Sequence, residues 1–277
     1  MCVTCGCSDG AQPRVTDVSA APHTRADHEH DHDHNHDHPH PAAALPAVRP
    51  DEPQRRTIAF EQQVLAKNDR LAELNRDWLT TRDILAVNLM SSPGSGKTTL
   101  LERTIRDLSG DLPISVIEGD QETVLDAERI RSTGSPVVQI NTGAGCHLDA
   151  EMLARGLSTL DPKSGSLLFI ENVGNLVCPA MFDLGERGKI VIMSVTEGDD
   201  KPLKYPQMFR AAQLMIINKV DLLPYVQFDV DRCIGFARQV NPDLETLQVS
   251  ATRGDGLDTW YGWLRDRMPA AESVPQQ

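Results

Sequence analysis

"SSPGSGKTT" (residues 91–99) follows the apolar run "ILAVNLM" (84–90) and opens a helical pattern. A strand, a glycine-rich turn and a helix start, in that order, make a phosphate-binding loop, because successive backbone N–H groups and the positive end of the helix converge on an anion. On this reading Gly94, Ser95, Gly96, Lys97, Thr98 and Thr99 hold phosphate. Lys97 reaches the β- and γ-phosphates and Thr98 offers its hydroxyl to Mg2+. The full pattern has Gly where Ser91 stands, so the loop is a variant.

Working outward, further apolar runs alternate with helical patterns: "ISVIEG" (114–119), "VVQIN" (137–141), "LLFIE" (167–171), "IVIMSV" (190–195), "LMIIN" (214–218) and "TLQVS" (246–250). Near-continuous apolar strands separated by helices predict an α/β fold, a mostly parallel sheet with helices on both faces. In such a sheet ligands gather at the carboxyl ends of the strands. Glu171 closes "LLFIE", where a carboxylate can meet the Mg2+, and Gly174 can follow the γ-phosphate through its amide. Asp120 is a second candidate for the metal shell or for orienting water, and it can also cap a helix from Glu122 onward; both roles can hold. Lys97, Asp120 and Glu171 form the expected catalytic set, with no Gln or Arg motif beside them to speed hydrolysis.

"NKVD" (218–221) decides the base. The Asp221 carboxylate only accepts, and guanine presents two donors, N1–H and the exocyclic amine, where adenine presents an acceptor. Asn218, Lys219 and Asp221 are thus expected to read GTP, with Ser250 and Ala251 of "SAT" (250–252) supplying an amide to guanine O6.

The formal net charge of −13 argues against a nucleic-acid partner. The N-terminus lacks a basic segment followed by an apolar run, and no apolar stretch approaches the ~20 residues of a membrane helix, which predicts a cytoplasmic protein with no membrane partner. Residues 8–55, dominated by Ala, Pro, His and Asp, bury too little to offset the entropy of ordering and are expected to be a disordered tail. A helix over 56–80 follows, with Val64, Leu71, Leu74 and Trp78 at roughly helical spacing, and the nucleotide-binding domain occupies 81–277.

Six cysteines in a reducing compartment read as ligands or packing residues. Residues 1–7, "MCVTCGC", place Cys2, Cys5 and Cys7 beside the α-amino group, a set compatible with a square-planar ion such as Ni2+ or Cu2+. A metal-free CxxC or a zinc half-site shared between chains is the alternative. "HEHDHDHNHDHPH" (28–40) suits weak, multiple binding of borderline ions, or is a solvated acidic spacer. In "GAGCHLDA" (143–150) and "GNLVCPA" (174–180), Cys146, His147 and Cys178 lie on loops at one rim of the sheet, beside the nucleotide, and form a second candidate metal site; Cys178 alone could be a packing residue. Cys233, within a helical pattern with Val230, Ile234 and Ala237, reads as packing.

With "CVTCGC", the His tract, "SSPGSGKTT", "GAGCHLDA", "ENVGNLVCPA" and "NKVD" together, the chain resembles the HypB family of hydrogenase nickel-incorporation GTPases over nearly its whole length. The resemblance implies a P-loop GTPase whose nucleotide-dependent homodimer is the switch. It implies service in nickel insertion into the [NiFe]-hydrogenase large subunit precursor, together with a HypA-type nickel chaperone. It also implies a tight nickel site at Cys2, Cys5 and Cys7, a zinc or nickel site at Cys146, His147 and Cys178 on the dimer interface, and a nucleotide contact across that interface from Lys201 or Lys204. The related urease-maturation GTPases, and a nickel store with incidental GTPase activity, remain the alternatives.

Overall fold

The computed structural model describes residues 52–120, 125–142 and 147–269, without side-chain placement for 52–61, 120, 125 and 127. The chain divides at Glu61/Gln62 into two units. Of the first unit, residues 52–61 are described, as the opening turns of helix α1 (Glu52–Thr81). The second unit holds a seven-stranded sheet in the order β3-β2-β4-β1-β5-β6-β7. Its strands are β1 (Leu85–Ser91), β2 (Ile114–Asp120), β3 (Val137–Asn141), β4 (Leu167–Glu171), β5 (Gly188–Ser194), β6 (Leu214–Asn218) and β7 (Glu245–Gln248), and every pair is parallel. β1 lies between β4 and β5, so the loop after β1 emerges at the middle of the sheet's carboxyl edge.

Helices cover both faces because both faces are apolar. On one, Leu100, Leu101, Ile105 and Leu108 of α2 (Lys97–Leu108) pack with Trp260 and Leu264 of α9 (Leu257–Arg265) over Val87, Leu89 and Phe169. The Trp260 indole N–H is satisfied by Thr104 Oγ1 at 2.9 Å. On the other, Leu153 and Leu157 of α4 (Ala150–Leu160) and Leu79 of α1 meet Ala86, Ile117 and Ile170. Fully burying each such side chain contributes ~1.5–3 kcal/mol. Asp149 starts α4 by accepting from Met152 N at 2.7 Å.

One expectation needs correction. In α1, Val64 and Leu74 are exposed, at 40% and 65%. The buried stripe is instead Asn68, Ala72, Asn75 and Leu79, which has the spacing of one helical face but two amides in it. The amides are there for hydrogen bonds: Asn68 Nδ2 donates to Asp183 O at 2.7 Å and Asn68 Oδ1 accepts from Ala150 N at 2.9 Å. Asn75 Nδ2 donates to Ala150 O and Leu184 O at 2.9 and 3.0 Å. An apolar-period reading misses a face whose task is to satisfy loop backbone. Helix α3 is described from Leu125 to Arg131, and the start expected at Glu122 lies outside the described residues.

Candidate nucleotide site and Cys/His loops

The loop after β1 turns on Gly94 (φ 76°) and Gly96 (φ 89°), a backbone region L side chains rarely adopt. A Cβ on Gly96 would lie 2.6 Å from Asn218 Nδ2, so the glycine also lets the end of β6 approach. α2 then begins at Lys97 with its free N–H groups facing the loop. The cleft has a volume of about 570 Å3 and is lined by Ser91 to Thr99, Asp126, Arg129, Glu171, Val173, Gly174 and Lys219. Gly174 lies so near the loop that a Cβ there would sit 3.2 Å from Pro93 Cγ, tighter than ordinary contact.

Lys97 Nζ lies 3.4 Å from Glu171 Oε1 and donates to Asn172 O. Thr98 Oγ1 donates to the same Glu171 oxygen at 2.7 Å. Glu171 is 2% exposed, and its Oε2 is buried with no hydrogen-bond partner. An orphaned carboxylate oxygen beside a threonine hydroxyl is a hard-ligand position, and the donor set fits Mg2+. Ser95 Oγ is likewise buried and unpartnered inside the loop. Asp120 ends β2, which pairs with β4 on this edge, but its side chain lies outside the described residues.

A smaller recess of about 190 Å3 is bounded by Gly96, Thr99, Asn218, Lys219, Asp221, Leu222, Ala251 and Thr252. Asn218 is its strut: Nδ2 donates to Ser95 O at 3.0 Å and Oδ1 accepts from Ala251 N at 3.2 Å, tying the phosphate loop to the loop after β7. Lys219, at φ 62°, folds back so that Nζ donates to Gly94 O at 2.7 Å. Ser250 Oγ donates to Asp221 Oδ1 at 2.6 Å and orients that carboxylate. These residues are together as the sequence predicts.

Lys201 begins the short helix α6 (Lys201–Lys204) and its Nζ donates to Ser92 Oγ at 3.0 Å and to Glu197, within its own chain. Glu197 in turn accepts from Ser92 Oγ at 2.7 Å and from Ser194 N at 3.1 Å. Lys204 is exposed and pairs with Asp200 at 2.7 Å.

Of the Cys/His residues, Cys2, Cys5, Cys7 and Cys146 lie outside the described residues. His147 is half-buried and stacks on Phe182, ring centroids 3.9 Å apart, and burial pushes its imidazole pKa down against the pull of Asp149. Cys178 begins α5 (Cys178–Met181) and is 1% exposed. His147 therefore meets the residue that closes α5, Phe182. Among the described residues no three His, Cys, Asp or Glu side chains form a group that could hold a metal ion. Cys233 is buried in α8 (Val230–Val240), 3.6 Å from Met193 Sδ, and burial pushes its thiol up to about 12.

Sequence reasoning missed Arg129. Its guanidinium lines the cleft, donating to Glu102 Oε2 at 2.7 Å, Asp126 Oδ1 at 3.2 Å and Thr99 Oγ1 at 3.1 Å. No motif marks it, because it reaches the phosphate loop from a different helix. Asn172 was also passed over, its carbonyl taken by Lys97 and its side chain fully buried.

Residues 85–248 match the family model described as CobW/HypB/UreG, nucleotide-binding domain. The chain is 50% identical to the hydrogenase maturation factor HypB of Escherichia coli K12, across 95% of this chain and 98% of that protein. Its structure is similar to that of the hydrogenase maturation factor HypB from Archaeoglobus fulgidus, at 43% identity and a TM-score of 0.69, covering 74% of this chain and all of that one. It is likewise similar to HypB from Helicobacter pylori solved in complex with nickel, at 37% identity and a TM-score of 0.68, covering 75% and 100% of the two chains. Among the described residues no helix is long and apolar enough to cross a membrane.

Proposed function

The chain belongs to the CobW/HypB/UreG family, with the hydrogenase maturation factors HypB as its relatives, and on that premise we propose that it is a GTPase that times nickel delivery during [NiFe]-hydrogenase maturation. The observation that carries the nucleotide half is Asp221, an acceptor-only group fixed by Ser250 in a recess that Asn218 joins to the phosphate loop. Gly94 to Thr99 bind phosphate, and Asn218, Lys219, Asp221, Ser250 and Ala251 read guanine.

Thr98 and Glu171, with Asp120, would hold Mg2+. Bound Mg2+ would neutralise charge developing on the β- and γ-phosphate oxygens. Lys97 exchanges its contacts with Glu171 and the Asn172 carbonyl for phosphate, and the amide of Gly174 follows the γ-phosphate. Nickel is the cargo, taken at Cys2, Cys5 and Cys7 and at Cys146, His147 and Cys178, the latter set open to zinc. The working form is a cytoplasmic homodimer that hands metal to the hydrogenase large subunit precursor with a HypA-type chaperone.

The test has two arms. Purified full-length chain should bind and hydrolyse GTP with Mg2+ and ignore ATP; equal affinity for ATP overturns the base assignment. A strain lacking this protein should lose [NiFe]-hydrogenase activity, regained with the intact gene but not with Lys97→Ala; rescue by that variant would overturn the timing role. The tract at 28–40 supports a second role, nickel storage, for that segment. Its deletion should lower metal tolerance without lowering maturation.

A further inference from the structure

Asn172 stands where three parts of the molecule meet. Its carbonyl accepts from Lys97, the phosphate-loop lysine. Its side-chain Oδ1 accepts from Leu148 N at 3.2 Å, directly after His147, and from Val173 N at 3.0 Å. Its Nδ2 faces Asn88 Oδ1 at 3.4 Å in the middle of β1.

From Asn88 a second buried branch runs on. Asn88 Nδ2 donates to Glu186 Oε1 at 3.1 Å, and Glu186 faces Lys189 at 3.7 Å. Lys189 Nζ donates to the carbonyls of Ala180 and Phe182 at 3.2 and 2.8 Å, holding the segment that begins with Cys178. The branches close on each other where Phe182 stacks on His147. Asn172 and Asn88 are fully buried, so each amide must keep its partners or leave polar groups stranded. A ring of this kind transmits displacement because the amides at its centre, Asn172 and Asn88, have no water to turn to.

We propose that Asn172 is the positioning residue that makes the His147–Leu148 segment and the Cys178 segment respond to the nucleotide. The proposal rests on the GTPase reading above. When phosphate takes Lys97, the Asn172 carbonyl is released and the end of β4, still tied to β1 by Asn172 N donating to Leu89 O at 3.1 Å, loses one restraint on shifting. The Asn172 side chain then carries Leu148 with it directly and the Cys178 segment through Asn88, Glu186 and Lys189. Both segments are thereby addressed from one amide.

The test uses the full chain, stripped of metal by chelation, at saturating GDP or saturating non-hydrolysable GTP analogue. The rate of Cys178 alkylation by iodoacetamide is followed by mass spectrometry of its peptide. In the unmodified protein the rates with the two nucleotides should differ at least about fivefold, the lower bound of ordinary coupling. In Asn172→Ala the ratio should fall to within about twofold of unity, and in Asn88→Ala, which cuts one branch, to an intermediate value. Should one variant fail to fold, the other still decides. A ratio unchanged in a folded variant, or rates that never depend on nucleotide in the unmodified protein, overturns the proposal and leaves the GTPase reading standing. Absence of any guanine-nucleotide binding overturns that reading first, and this proposal with it.

Discussion

Ser250 Oγ donates to Asp221 Oδ1 at 2.6 Å, so the loop after β7 fixes the carboxylate that follows β6. Two elements of the sheet edge thereby present one acceptor group in a set direction. Asp221→Asn puts a donor where guanine also donates, and is expected to lose GTP and gain xanthosine triphosphate. Ser250→Ala keeps the charge but frees its torsion, with an expected loss of about fivefold in GTP affinity, near 1 kcal/mol. Fluorescent-nucleotide titration checks both, and unchanged GTP binding in Asp221→Asn would end the assignment.

Glu171 Oε2 is buried and unpartnered, while Oε1 takes Thr98 and Lys97. Glu171→Gln keeps the hydroxyl contact but removes the anion. Mg2+ is then expected to stop tightening the binding of a GTP analogue, and turnover to fall by about a hundredfold or more. Titrations with and without Mg2+ read this out; a variant that keeps its full magnesium response contradicts the ligand role.

Arg129 sits in the cleft with its guanidinium engaged by Glu102, Asp126 and Thr99. A cation tethered beside Thr99 is expected to strengthen nucleotide binding without being aimed at the departing phosphate. Arg129→Ala is expected to weaken GDP and GTP alike, by about tenfold, as for one charge-assisted hydrogen bond. Unassisted turnover of the unmodified protein is expected within a few orders of ~10⁻⁴ s⁻¹. Single-turnover hydrolysis at tens per second would overturn that expectation.

Burial pushes the Cys233 thiol up to about 12, so near pH 8 almost none of it is the reactive thiolate. Alkylation of Cys233 in the folded protein is expected to be negligible and to appear together with unfolding in urea. Rapid labelling under native conditions would contradict a packing role.

Asn75 Nδ2 serves two carbonyls, Ala150 O and Leu184 O, from a position 5% exposed. Asn75→Ala strands both and is expected to cost about 2–3 kcal/mol in urea denaturation, whereas Leu74→Ala one residue earlier, on an exposed position, is expected within ~0.5 kcal/mol. Equal effects of the two would mean that the amide is not a strut.

The strands were legible because a parallel sheet covered on both faces is built mostly of apolar residues: the run 167–171 reads LLFIE and all of it is buried in β4. The phosphate loop and NKVD were legible because backbone geometry and ligand chemistry each demand particular residue types at fixed spacing. Helix α1 was found but its buried side was misread, since Asn68 and Asn75 face inward for hydrogen bonds that no period of hydrophobicity encodes. Arg129, Asn172 and the Glu197 contacts with Ser92 and Ser194 were invisible for a related reason: each acts through a partner distant in the chain.

The amide stripe of α1 also decides where this polypeptide can be cut. Asn68 and Asn75 occupy Ala150 N, Ala150 O, Asp183 O and Leu184 O, and a Cβ on Gly185 would lie only 2.4 Å from Ala72 O. A fragment begun at Ile84, the start of the phosphate-loop strand's apolar run, would carry a complete sheet yet bare four backbone groups and an uncovered glycine at the base of both Cys/His loops. A fragment begun before Gln62 sheds the cysteine motif and the histidine tract and keeps those groups paired. Metal-binding differences between such fragments thus have two separable origins, lost ligands in one and a slackened scaffold in the other.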